Sequence, residues 1–345
     1  MRAVVFDEVR SVPEVREVPD PAAPPGGVVV RVGATGLCRS DWHAWAGHDD
    51  VALPHVPGHE LAGHVAEVGK GVTRWRVGDR VTVPFVCGCG RCEWCRRGDA
   101  QVCPDQEQPG FTHWGSFAEL VALHAADTNL VAVPGSVDLA TAAGLGCRFA
   151  TAYRALVGRA RVAEGEWVAV VGAGGVGLSA VMIARARGAR VVAVDRNPEA
   201  LAVAADLGAE HTVLADGTDV PAAVADLTGG GSHVAVDAVG SEQTCADAIL
   251  GLRRRGRLAQ VGLLPPVDGH PRVPMSRVIA WELDLLGSHG MAAADYPPML
   301  ALVESGALRP QRLVERTIGL AEAAALLPVF DTATVAGMTI IDPTR

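Results

Sequence analysis

The residues Trp167-Val168-Ala169-Val170-Val171-Gly172-Ala173-Gly174-Gly175-Val176-Gly177-Leu178-Ser179-Ala180-Val181-Met182-Ile183-Ala184 decide the fold. These eighteen residues carry no charge, close to the length of a membrane span. Four glycines in the middle argue against one unbroken apolar helix. The stretch instead divides into a Val-rich strand over 167–171, a Gly turn and a helix over 176–187. Gly172, Gly174 and Gly177 fit G-x-G-x-x-G, and Asp195 ends the next strand-like run, 18 residues after Gly177. Strand, turn, helix and distant acid together form a dinucleotide fingerprint. The first Gly permits the tight turn, Gly174 lets a diphosphate approach the backbone, and Gly177 lets helix and strand pack closely, with Gly175 a further candidate for cofactor contact. The helix N-terminus, opening near Val176, offers N–H donors and a positive dipole end to the phosphates. Asp195 would accept from the adenosine ribose and repel a 2′-phosphate, favouring NAD; the neighbouring Arg196 would instead meet such a phosphate. The plain alternative is a Gly-rich turn with no nucleotide.

Outward from this turn, strand-like and helical runs alternate: 190–194, 198–207, 233–237, 242–252 and 257–261. Such βαβ alternation specifies a parallel sheet covered by helices on both faces. Residues 1–150 are different, with short β-type runs at 27–32, 63–69 and 79–83 and Pro-rich punctuation at 19–25. A β-rich domain over 1–150, an α/β domain over 151–286 and a return to the first domain over 287–345 are expected.

The 345 residues suit two domains. Lys and Arg number 30 against 39 Asp and Glu, giving a net charge of −9, which argues against nucleic-acid or polybasic membrane partners. The first ten residues carry Arg2, Asp7 and Glu8 and read as an edge strand, not a targeting segment. Five of the eight cysteines fall between Cys87 and Cys103, and clustered thiols in a chain of this kind point to metal in a reducing, cytoplasmic compartment.

Cys89, Cys92, Cys95 and Cys103 are spaced C-x2-C-x2-C-x7-C within the lobe 87–103. Four thiolates close a tetrahedral zinc site with no open position, so the site is structural. An iron–sulfur cluster or disulfides are the competing readings, and Cys87 is out of register. Cys38, in Gly36-Leu37-Cys38-Arg39-Ser40-Asp41-Trp42-His43, His59, in Gly58-His59-Glu60, and Cys147 are dispersed. Spacing alone does not connect them.

Together these segments resemble the zinc-dependent alcohol dehydrogenases of the medium-chain dehydrogenase/reductase superfamily, in order and separation over essentially the whole chain. The resemblance implies a discontinuous β-rich GroES-like catalytic domain joined to a Rossmann domain with a doubly wound parallel sheet, and two zinc ions per subunit. It implies Cys38, His59 and Cys147 as ligands of the catalytic zinc, Asp41 as the group that orients His59, and Glu60 as a carboxylate behind the metal. Ser40 matches the hydroxyl that takes the substrate proton and His43 the imidazole that passes it to solvent. Arg39 matches a diphosphate contact in some members, Thr151 and Val176 pack against the nicotinamide, and Val239 and Val261 are further cofactor contacts.

Polyol-specific relatives often carry Glu at the third ligand, so Cys147 leans towards simple alcohols and aldehydes. Phe85 matches a pocket wall; Trp42 and Trp114, with Trp45, Phe111 and His289, are further wall candidates, which suggests an apolar or aromatic primary alcohol. The alternatives are a polyol, amino-alcohol or conjugated-carbonyl enzyme, or a non-catalytic nucleotide-binding protein. The resemblance also implies a homo-oligomer, a tetramer rather than a dimer, paired through a sheet edge near 283–287.

Overall fold

In the computed structural model every residue of the strand Trp167–Val171 is buried, as required of a strand with helices on both faces of its sheet. The structure describes residues 1–264, 270–332 and 337–345. It divides into two compact units, Met1–Ala150 with Gly290–Arg345, and Thr151–His289.

In the second unit six parallel strands lie in the order His211–Leu214, Arg190–Asp195, Trp167–Val171, Ser232–Asp237, Leu252–Gln260 and Asp284–Gly287. This 3-2-1-4-5-6 order reverses direction beside Trp167–Val171, the point at which doubly wound sheets bind nucleotides. Val171, Val192, Val194, Ala235 and Leu258 meet Ile249 of the covering helix Glu242–Leu250 in one core. The helix Pro198–Asp206 follows from local chemistry: Asn197 caps it by accepting from the Glu199 N–H at 2.8 Å, and Pro198 opens it. The run expected as a helix over 242–252 ends at Leu250, and the strand starts at Leu252, because Leu252 pairs with Ser232 ahead of a register shift. Asp284–Gly287 is the last strand of the sheet and mostly exposed.

The first unit is built on a sheet running Val314–Ile318, Met338–Ile341, Val28–Leu37, Glu60–Val68, Arg80–Thr82 and Val131–Ala132, with Leu120–Leu123 also paired to Val28–Leu37. Val30, Val32, Leu61, Val65, Val81 and Val121 fill one face. The strand Arg2–Val5 pairs with Glu14–Glu17 in a separate two-stranded sheet. Among the described residues no helix is long and apolar enough to cross a membrane.

Candidate functional site

Two adjacent strand ends bring the first cluster together. Val28–Leu37 and Glu60–Val68 pair antiparallel with Gly36 opposite Glu60, so Cys38, just past one strand, comes beside His59, just before the other. Cys147 arrives on a π-helical turn, Leu145–Phe149. The ligand atoms of Cys38, His59, Glu60 and Cys147 all lie within 4.8 Å of one another.

Asp41, fully buried in the helix Arg39–Ala46, orients this cluster. Its Oδ1 lies 2.9 Å from His59 Nδ1 and accepts from the Gly58 N–H at 3.1 Å; its Oδ2 accepts from the Cys38 N–H at 2.9 Å. The carboxylate makes Nδ1 a donor and turns Nε2 towards the thiols, where it is buried with no hydrogen-bond partner among the described residues. An unpartnered buried imidazole nitrogen beside two sulfurs is the donor set of a zinc site with one position open. In the protein alone, burial disfavours the His59 imidazolium, but the charge and hydrogen bond of Asp41 and the Cys38 sulfur outweigh it and raise its pKa well above the ordinary value. The hydrogen bond from Cys147 holds Cys38 well below the usual thiol range against its burial, and that same bond pushes Cys147 well above it. A divalent cation bound here displaces these shared protons.

Behind the cluster, Arg148 grips Glu60 with both arms of its guanidinium, one at 2.9 Å from Nε to Oε1 and the other from Nη2 to Oε2. Both side chains are buried. Burial raises the Glu60 pKa and the Arg148 charge pulls it back. Gly36 leaves the space, since a Cβ there would lie 2.1 Å from Glu60 Oε2. Arg148 was missed in the sequence; its signal is that a buried carboxylate beside thiolates needs a cation, and Arg148 adjoins a candidate ligand.

Ser40 Oγ lies 3.9 Å from Cys38 Sγ. His43 Nδ1 meets His48 Nδ1 at 2.9 Å, so one ring donates to the other. Burial, then the nearby His48, lowers the His43 pKa. His48 also escaped sequence reading, because it lies past Gly47, which ends the helix in a left-handed turn. Arg39, expected at a diphosphate, pairs with the Asp331 carboxylate on the surface.

The aromatic candidates separate. Phe85 and Phe111 stand 6.2 and 5.3 Å from the His59 ring. Trp42 sits edge-on to His43 and His48 and packs on the core around Val4, Leu37 and Leu327, which Trp45 joins. Trp114, half-buried, packs with Ala3, Val5, Val56 and Ala118 and donates its indole N–H to Pro54 O at 2.9 Å.

The ligand atoms of Cys89, Cys92, Cys95 and Cys103 form a second cluster within 4.8 Å. Cys92 caps the short helix Glu93–Arg96 and accepts from the Cys95 N–H at 3.4 Å; Cys103 accepts from the Cys89 N–H at the same distance. All eight cysteines are free thiols, and Cys87 is buried in the sheet core outside the cluster.

In the second unit, Gly172 turns with φ +95°, and Gly177 must lack a side chain because its Cβ would lie 1.7 Å from Gly172 O. A Cβ on Gly174, at the N-cap of the helix Gly175–Ala186, would meet nothing within 4 Å. That open ground before the helix N–H groups, continued by Gly175 and the half-buried Val176, fits a diphosphate. Asp195 ties the turn down, accepting from the Ala173 N–H at 2.6 Å and the Asn197 N–H at 2.8 Å, with Arg196 exposed beside it. Asp237, buried at the end of the neighbouring strand and unnoticed in the sequence, holds the adjoining loops: its carboxylate accepts from Val239 and Gly240, and its carbonyl from Val261 and Gly262. Val239 is exposed, whereas Thr151 is buried.

The profile described as alcohol dehydrogenase GroES-like domain matches residues 24–135, and that described as zinc-binding dehydrogenase matches residues 175–305. An alcohol dehydrogenase of Geobacillus stearothermophilus is 36% identical over 315 residues, 90% of each chain. The crystal structure of an NAD-dependent alcohol dehydrogenase superposes with a TM-score of 0.89 at 33% identity over 99% of both chains. A protein of Sinorhizobium meliloti 1021 named only by its likeness to zinc-binding dehydrogenases, bound to NADP, gives 0.88 at 27% identity, again over 99% of both. The chain therefore belongs to the zinc-dependent alcohol dehydrogenases of the medium-chain dehydrogenase/reductase superfamily and is an alcohol oxidoreductase.

Proposed function

We propose that the protein is an NAD-dependent alcohol dehydrogenase with two zinc ions per subunit, interconverting a primary, apolar or aromatic alcohol and its carbonyl product in the cytoplasm. The observation that carries this reading is the buried, unpartnered Nε2 of His59, oriented by Asp41 within 4.8 Å of the Cys38 and Cys147 sulfurs. These three residues would hold the catalytic zinc, and Cys89, Cys92, Cys95 and Cys103 a structural one. When bound, zinc supplies a Lewis acid for the alcohol oxygen and NAD an acceptor for the hydride.

The chain's own groups handle the rest. Ser40 takes the hydroxyl proton of the alcohol, supported by its place beside Cys38, and His43 with His48 carries that proton to solvent. A His43 pKa lowered by burial keeps the ring neutral and ready to accept near neutral pH. Glu60, pinned by Arg148, keeps a carboxylate among the ligand atoms in a fixed orientation. Phe85 and Phe111 line the apolar side, consistent with an apolar substrate. Gly172, Gly174 and Gly177 would cradle the diphosphate, and the Asp195 carboxylate would favour the unphosphorylated ribose of NAD. Subunits would pair through the exposed edge strand Asp284–Gly287 into a tetramer.

The test is the initial rate of NAD reduction by the zinc-loaded protein across primary, secondary, aromatic and polyhydroxy alcohols. Preference for apolar or aromatic primary alcohols is expected. Faster turnover of polyols, or of NADP over NAD, would overturn the substrate or cofactor assignment.

A further inference from the structure

A third group of ligating side chains lies in the first unit, sharing no residue with either cysteine-containing cluster. Glu107, His113 and His124 bring one ligand atom each to within 4.8 Å of the others. Each is positioned by a neighbour. Glu107 exchanges two backbone hydrogen bonds with Cys87, both 2.8 Å, which fixes the loop that leaves the four-cysteine lobe. His113 Nδ1 lies 3.0 Å from Trp114 O and, facing a carbonyl, must be the protonated nitrogen; its Nε2 therefore carries the lone pair. His124 follows the strand Leu120–Leu123, with its ring 5.1 Å from that of His113 and nearly perpendicular to it.

His124 Nδ1 lies 2.7 Å from Glu107 Oε2, yet the nitrogen is buried and makes no properly directed hydrogen bond. Nitrogen and carboxylate thus converge on one region at ion-pair distance. Beside the two imidazoles is a cavity of about 130 Å³, bordered also by Met1, Trp114 and Leu120, which gives an ion a path to the rings.

We propose that Glu107, His113 and His124 bind a third divalent transition-metal ion, of which zinc is the natural occupant. Two imidazoles and one carboxylate suit zinc and its first-row neighbours and disfavour magnesium and calcium, which take oxygen ligands. Three protein ligands leave a coordination position for water. A metal here clips the loop that contains Phe111, the residue against His59, to the end of the strand Leu120–Leu123.

The experiment is calorimetric titration of zinc chloride into enzyme first brought, by dialysis against a weak chelator, to two zinc ions per subunit as counted by elemental analysis. One further equivalent per subunit is expected in the wild type, abolished by His124→Ala. Glu107→Gln, which preserves shape and the backbone pairing with Cys87, is expected to abolish it too while the melting temperature stays unchanged. A wild type that takes up no further zinc, or a further equivalent that survives both substitutions, overturns the proposal.

Discussion

Replacing Arg148 with Met leaves the Glu60 carboxylate buried beside Cys38 and Cys147 with no cation against it. Removing one partner of a buried ion pair costs about 3–5 kcal/mol, because the survivor keeps its desolvation penalty and loses its Coulombic offset. The pair sits in a unit of roughly 200 residues, for which about 2–4 °C of melting temperature correspond to each kcal/mol, so Arg148→Met should melt about 6–20 °C below wild type. The loss depends on pH. Without Arg148 the burial of Glu60 is opposed only by the more weakly acting His59, so its folded pKa rises further above the unfolded value. The folded state then binds more protons, and stability falls as pH rises through that window. The deficit should therefore be smaller near pH 5 than near pH 8. Glu60→Gln combined with Arg148→Met removes both charges and should recover most of the loss. Thermal melts of the single and double variants, each stripped of zinc beforehand, decide the matter. A single variant within about 2 °C of wild type, or a double variant no better than the single, would refute the reasoning.

Cys147→Ala should abolish alcohol oxidation and remove one zinc per subunit while leaving dinucleotide binding nearly intact; near-wild-type turnover would sink the ligand assignment. Gly177→Ala drives a methyl into Gly172 O and should prevent soluble expression, whereas Gly174→Ala should fold normally and weaken NAD binding by fluorescence titration. Equal NAD affinity in Gly174→Ala would place the diphosphate elsewhere. His48→Gln removes one of the influences that depress the His43 pKa, so the acid limb of the kcat profile should move to higher pH; an unmoved limb would take His48 out of the proton path.

Much of the second unit was legible because its signals are local. A Val-rich run, three glycines and an acid 18 residues on describe strand, turn, helix and strand without long-range information, and Trp167–Val171 and Arg190–Asp195 stand where the sequence placed them. The strand His211–Leu214 and the helix Val220–Thr228 went unnoticed, since each is short and buries only a few residues. The first cluster is different in kind. Cys147 lies more than eighty residues from His59, and only family resemblance linked the two. Arg148 shows the same limit: its partner Glu60 is 88 residues away, and nothing local announces a buried ion pair. The tryptophans mark a further limit. Composition reveals that Trp42, Trp45 and Trp114 are apolar, not which core each one fills.

The central claim is that alcohol oxidation needs a metal held by Cys38, His59 and Cys147. The most direct test strips the protein of zinc with a chelator, returns zinc in measured steps, and follows both bound metal and alcohol-dependent NADH formation in wild type and Cys147→Ala. The account predicts no rate in the stripped protein, a rate that rises with rebound zinc in wild type, and none at any zinc level in Cys147→Ala. An undiminished rate in the stripped protein, or a zinc-restored rate in Cys147→Ala, would contradict it.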